Sequence, residues 1–305
     1  MACSAYNLRP ANSVGLGRHS DGAVFCVYGF PFRLRTNHPR ARRLFGRLYG
    51  HFLEPGATEM VTEAVLEQGR GWVSWALGEK TGSETDLSKA MWGLESVLCE
   101  AVIRSQQRAI AVHAAGIMTN DLVTLLVGRG GAGKSTLSIA LARRGLAVTT
   151  DDVVLVDPHT MHALPIPRCF HLDSRSVALL DADGFRFRQA WRRFHFLVPR
   201  DLGVRGMPRC TPRVLVFVLG PRAERPCIRP VSQAEMAARL LSETGQGPLD
   251  DSTTVGVLSR LAAGASCYTL VPGPLTQTAD AVADLILSNQ SNRRPAGITD
   301  RWPLV

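Results

Sequence analysis

The segment Gly128-Arg-Gly-Gly-Ala-Gly-Lys134-Ser135 constrains this chain more than any other. It matches the pattern G-x-x-x-x-G-K-[ST], and it falls between an apolar run, Leu122–Val127, and a helical pattern from Thr136 to Arg144. A strand, a glycine loop and a helix in that order form a cradle for phosphate. Gly128, Gly130, Gly131 and Gly133 let the backbone of Arg129 and Ala132 turn so that successive N–H groups face phosphate oxygens. The N-terminus of the helix opening at Lys134–Thr136 adds a favourable dipole. Lys134 supplies a compact positive charge for the outer phosphates, and the Ser135 hydroxyl is a ligand for Mg²⁺. Nucleotide binding is the firmest expectation from the residues.

From Ile110 onward strand-like and helix-like pieces alternate, which predicts an α/β fold: a P-loop domain around a mixed, largely parallel sheet. Strands are expected at 109–117, 122–127, 147–150, 153–156, 213–219 and 267–271, with helices opening at the capping box Ser232-Gln-Ala-Glu235 and spanning 275–287. Before that region the texture differs. Ala23–Gly29 and Phe32–Arg35 read as strands, 39–53 as a helix, and the polar stretch 78–85 as a linker or turn. The expected organisation is a small α+β module at 1–85, then the P-loop domain at 86–288 (with 86–108 a connecting helix), then a loosely held tail at 289–305.

Composition excludes several classes. Apolar residues make up 45% of 305 residues and no apolar run approaches a membrane span, so neither a disordered chain nor a helical membrane protein is expected. The seven cysteines, Cys3, Cys26, Cys99, Cys169, Cys210, Cys227 and Cys267, form no C-x-x-C pair. They point to reduced thiols and, with no export signal visible, a cytoplasmic protein. The formal charge of +9 is almost all arginine, concentrated at Arg33–Arg47 and at Arg186–Arg193, the latter among Phe185, Phe187, Trp191 and Phe194. A solvated basic face is the stronger reading of these clusters and nucleic-acid binding the weaker; an acidic peptide would use the same charge.

Two further features bear on chemistry. Asp151 and Asp152 follow the strand after the cradle, so two carboxylates are expected at the phosphate edge. One can hold Mg²⁺ while the other accepts a proton from an attacking hydroxyl; a metal ligand beside a turn cap is an equal alternative. His113 lies on the strand before the cradle, where a lone histidine is more often a hydrogen-bonded core residue than a catalytic one.

Together, His113-Ala-Ala-Gly-Ile117, the loop through Leu137, Ala140-Leu-Ala-Arg-Arg-Gly145 and Thr150-Asp-Asp-Val-Val154 resemble the C-terminal domain of HPr kinase/phosphorylase and its bacterial relatives. The similarity covers about 110–157 and continues more weakly to about 288. It implies an HPr kinase-like fold, with His113 at the catalytic histidine position, Lys134 on phosphate and Ser135 on magnesium. It also implies that Asp152 is the general base and that Asp151 supports it or the metal. The family's Glu-x-Arg-Gly segment has its nearest counterpart in Asp173-Ser-Arg175, which makes Asp173 a further metal ligand by resemblance. Arg205 and Arg209 are the candidates for a later catalytic arginine. The first ninety residues look like the leading module of divergent relatives found in ribosomal-peptide biosynthesis clusters.

The resulting expectation is a cytoplasmic, ATP- and Mg²⁺-dependent serine kinase acting on an acidic or neutral peptide or protein. Neither membrane nor nucleic acid is expected as a partner, and homo-oligomerisation is implied by the resemblance. Kinase action on a small hydroxy amino acid, or a non-catalytic nucleotide-binding regulatory role, are the alternatives.

Overall fold

In the computed structural model, the described residues are 24–50, 62–77, 79–119, 122–166, 168–184, 195–197, 202, 210–220, 222–245 and 249–291. Arg186–Arg193, Arg205 and Arg209 fall outside them.

The first layer is a five-stranded sheet in the order β1 (Val24–Val27), β2 (Phe30–Thr36), β3 (Thr62–Gln68), β4 (Trp72–Ala76), β5 (Glu79–Glu84). Helix α1 (Pro39–Tyr49) makes the crossover between β2 and β3, which therefore pair in parallel, whereas the other neighbours are antiparallel. The polar stretch expected as a linker is mostly β5. Strand pairing needs only backbone groups, and β5 lies at the sheet edge, where a polar sequence is tolerated. Helix α2 (Leu87–Ser105), capped by the Asp86 side chain on the Ser88 amide, covers this sheet with Leu87, Met91, Leu94, Leu98 and Val102. Phe25, Phe32, Leu34, Phe45 and Leu66 complete that core, which also takes in Leu155, Ile166 and Cys169 from the following layer.

The second sheet is built from β6 (Ile110–Thr119), β7 (Leu122–Val127), β8 (Ala147–Thr150), β9 (Val153–Val156), β10 (Ala163–Pro165), β13 (Pro212–Val218), β14 (Cys227–Pro230) and β15 (Ser266–Val271). Its order is β10-β9-β6-β7-β13-β15-β14, with β8 also paired to β6. Helices α3 (Lys134–Ala142), α4 (Ser174–Ala182) and α7 (Leu275–Ser291) lie on one face, and α5 (Gln233–Ser242) and α6 (Asp251–Ala263) on the other. A two-stranded ribbon of β11 (Phe170–Leu172) and β12 (His195–Leu197) flanks α4.

The fold is therefore mixed α/β, but the expectation of a largely parallel sheet is corrected. Among the described residues of the second sheet only β7–β13 and β13–β15 pair in parallel; β10–β9, β9–β6, β6–β7, β6–β8 and β15–β14 are antiparallel. The cause is connection length. The two residues between β6 and β7 suffice for a hairpin only, whereas a parallel neighbour needs a long crossover such as the one through α5 and α6 that joins β13 to β15. Helix α7 runs to Ser291. The described cysteines form no disulfide, and among the described residues no helix is long and apolar enough to cross a membrane.

Candidate active site

Sheet topology places the site at one edge. Strand β7 ends at Val127, opposite Ala114 midway along β6; β8 ends at Thr150, opposite Gly116 of the same strand. His113, the glycine loop and the aspartate pair thus share an edge. The sequence reading reached that juxtaposition by assuming parallel strands, whereas here the antiparallel β6 lies between β7 and β8 and contributes His113 from its middle.

The loop from β7 to α3 has Gly128, Gly131 and Gly133 at positive φ, and Gly133 caps α3 in a left-handed conformation. Gly128 is additionally held close to β13: a Cβ there would lie 2.7 Å from the Val218 carbonyl oxygen. Gly128→Ala is expected to cost about 1–3 kcal/mol through this clash and its φ, read as a lowered melting temperature.

Lys134 is buried, and its Nζ donates to the Gly128 carbonyl at 2.6 Å and the Arg129 carbonyl at 3.2 Å. It also lies 3.2 Å from His113 Nε2. Burial pulls the lysine pKa down, against the charges of Asp152, Asp151 and Glu243. Asp151 is buried, receives a hydrogen bond from the Ser135 side chain, and has an Oδ1 without a protein partner. Burial pushes its carboxyl up to about 6. A hydroxyl beside a carboxylate with an uncommitted oxygen suits a hard cation such as Mg²⁺, which is commonly held by one or two carboxylates, water and substrate phosphates. Among the described residues no three His, Cys, Asp or Glu side chains converge on a metal position. Asp173 instead caps α4, with Oδ1 accepting from the Ser176 amide at 2.7 Å, and the Ser176 hydroxyl meets Thr136 Oγ1 at 3.0 Å.

Asp152 is the more open carboxylate, its side chain 38% exposed, and it is clamped on both oxygens. His113 Nε2 lies 2.8 Å from Oδ1, and the Arg168 guanidinium bonds Oδ2. Burial opposes ionisation, yet the His113 hydrogen bond together with Arg168 and Lys134 holds this carboxyl down to about 2. His113 is fixed from behind by Glu243 at the end of α5. Its backbone N–H donates to the Glu243 carbonyl at 2.9 Å, and its Nδ1 lies 3.7 Å from Glu243 Oε2.

Four participants were not singled out from the sequence: Glu243, Arg168, Glu95 and His171. Glu95 of α2 is 5% exposed and bonds His171, with Arg168 at 3.6 Å. A chain of polar contacts Glu95–Arg168–Asp152–His113–Glu243 therefore runs from the N-terminal layer past the glycine loop to the end of α5. Only Glu95 left a readable trace, being a carboxylate on the apolar stripe of α2, four residues after Met91 and three before Leu98. Burial works against its charge, but His171, Arg168 and a hydrogen bond from Tyr49 bring its pKa down to about 2. A depressed pKa stabilises the fold fully above the ordinary glutamate range, and that stability is lost as pH falls from there towards 2. Glu95→Gln should therefore flatten the acid limb of a melting-temperature profile between about pH 4.5 and 2.5; an unchanged limb would remove this role.

No protein-family model and no curated protein matches this chain. Among solved structures, the Hpr(Ser) kinase/phosphatase from Coxiella burnetii is similar over 59% of this chain and 90% of its own, at 13% identity and a TM-score of 0.32. A likeness that loose carries no argument about this chain.

Proposed function

We propose that the protein is an ATP-dependent kinase that transfers the γ-phosphoryl group to a serine-type hydroxyl of a peptide or protein. The observation that carries this reading is the meeting of Lys134, His113 and Asp152 at the mouth of a glycine loop, beside the Ser135–Asp151 pair. The loop amides and Lys134 would bind the triphosphate. Ser135 and Asp151 would hold Mg²⁺, which supplies charge neutralisation between the outer phosphates. Asp152 would accept the hydroxyl proton as the oxygen–phosphorus bond forms and the bond from the γ-phosphorus to ADP breaks. Its low basicity suits a proton that leaves late. Arg168 holds the carboxylate in position, and His113, steadied by Glu243, orients it from the other side.

A nucleotide-holding module without catalysis has no use for Asp152, which lies apart from the Ser135–Asp151 pair and is aimed by two side chains of its own. The reading is tested with γ-labelled ATP, Mg²⁺ and serine-bearing peptides of acidic or neutral charge. Label on peptide serine supports it. Label on a free hydroxy amino acid makes the acceptor small, and intact ATP after hours with every acceptor overturns it.

A further inference from the structure

Arg168, whose guanidinium bonds Asp152 Oδ2, stands in the link from β10 to β11. On the aspartate side that link is fixed at Ile166: its carbonyl accepts from the Thr150 hydroxyl at 2.7 Å, and its amide donates to the Val153 carbonyl at 3.1 Å. The N-terminal layer grips the same link on both sides of Ile166. Glu95 of α2 accepts the Cys169 amide on Oε1 at 3.3 Å, while its Oε2 meets His171 and lies 3.6 Å from Arg168. Tyr49, the last residue of α1, hydrogen-bonds Glu95 in turn. At the β1–β2 turn, the Tyr28 hydroxyl donates to the Pro165 carbonyl. Tyr28 has a φ of 49°, an uncommon conformation for an aromatic residue, and Gln106 at the end of α2 holds its carbonyl at 3.0 Å.

Packing alone does not set the guanidinium. Glu95 and Arg168 border a cavity of about 40 Å³ together with Phe32, Leu98, Val102 and Ile166. Beside such a gap a side chain has room to shift, so its polar tethers decide where it stands. Stability does not account for the carboxylate either. A buried ion pair is often no more stabilising than apolar packing of the same volume, and Glu95 lies on an apolar stripe that Met91, Leu94 and Leu98 already fill. What apolar packing cannot do is orient a cation.

Resting on the reading of Asp152 as the proton acceptor, we propose that Glu95 is a positioning residue for the transfer step, acting through Arg168, so that the N-terminal layer is part of the machinery that sets turnover. Its effect falls on the rate of transfer and not on nucleotide binding, since the glycine loop and Lys134 belong to other elements. The tether from Tyr28 to Pro165 works in the same sense, by holding the link that presents Arg168.

A double-mutant cycle on the whole chain tests this, with γ-labelled ATP, Mg²⁺ and serine-bearing peptides. Glu95→Gln keeps the side-chain shape and should lower transfer at saturating ATP about tenfold, at a temperature where the variant is folded, with ATP affinity within about twofold. In the Asp152→Asn background the same substitution should change the residual transfer by less than about twofold, because no proton acceptor is left to aim. Tyr28→Phe, which leaves every buried charge in place, should repeat the pattern at about threefold and does not depend on Glu95→Gln folding. A residue that served folding alone would lower transfer equally in both backgrounds. That result, or full turnover in both Glu95→Gln and Tyr28→Phe, overturns the inference while the kinase reading stands. Undiminished transfer in Asp152→Asn itself removes the base, and this inference goes with it.

Discussion

Asp152→Asn is expected to lower phosphoryl transfer about 10²–10⁴-fold while leaving ATP affinity within about threefold. The asymmetry follows from geometry. In the proposed reading the phosphates are held by the loop amides and Lys134, whereas Asp152 is clamped between His113 and Arg168 at the loop mouth. Asparagine keeps the volume and can still accept a hydrogen bond, but it cannot take a proton. Removing the Asp152 charge also takes away a repulsion on the triphosphate and, in the opposite sense, an attraction that favours the Lys134 ammonium, so the two effects partly offset in nucleotide affinity. Kinetics under saturating ATP and peptide, paired with nucleotide titration, check it. A variant with full turnover would dismiss Asp152 as the base.

The second large effect belongs to Arg168. Arg168→Met leaves the Glu95 carboxylate in the interior with one cation fewer and frees one oxygen of Asp152. Breaking a buried ion pair from one side costs about 3–5 kcal/mol, which for a chain of this length corresponds to a melting temperature roughly 10 °C lower. The companion variant Arg168→Met with Glu95→Leu removes the stranded charge as well and should regain most of that stability. Transfer should stay low in both, because Asp152 has lost its aim. Recovery of turnover together with stability would make Arg168 a purely structural residue. The double variant therefore distinguishes a positioning role from a folding role, which the single variant cannot do.

Much of the site's scaffold was legible in the sequence, for reasons that differ by element. Buried strands such as β7 and β13 are short apolar runs bounded by breakers, and Ser232 announces α5 by capping the Glu235 amide. Those signals are local. Strand direction is not local: the reading that made consecutive strands parallel ignored the tight β6–β7 connection, and it still reached the right edge because two antiparallel pairings restore the original direction. The polar β5 could not be seen because edge pairing leaves no hydrophobic alternation. Arg168 and His171 could not be seen either, since their meaning depends on Glu95, more than seventy residues away in the chain. Glu95 alone broke a pattern, as a charge on a buried stripe, and such a break asks for a distant cation.

The central claim is that one phosphate end faces an imidazole, an ammonium and two acidic side chains. A crystal structure of the protein with Mg²⁺ and a non-hydrolysable ATP analogue tests it most directly. The account predicts the terminal phosphate beside Lys134, the metal on Ser135 and Asp151, and Asp152 facing the phosphorus from the side open to an acceptor. A triphosphate bound with its terminal phosphate turned towards β15, or Asp151 and Asp152 on the rim opposite Lys134, would contradict it.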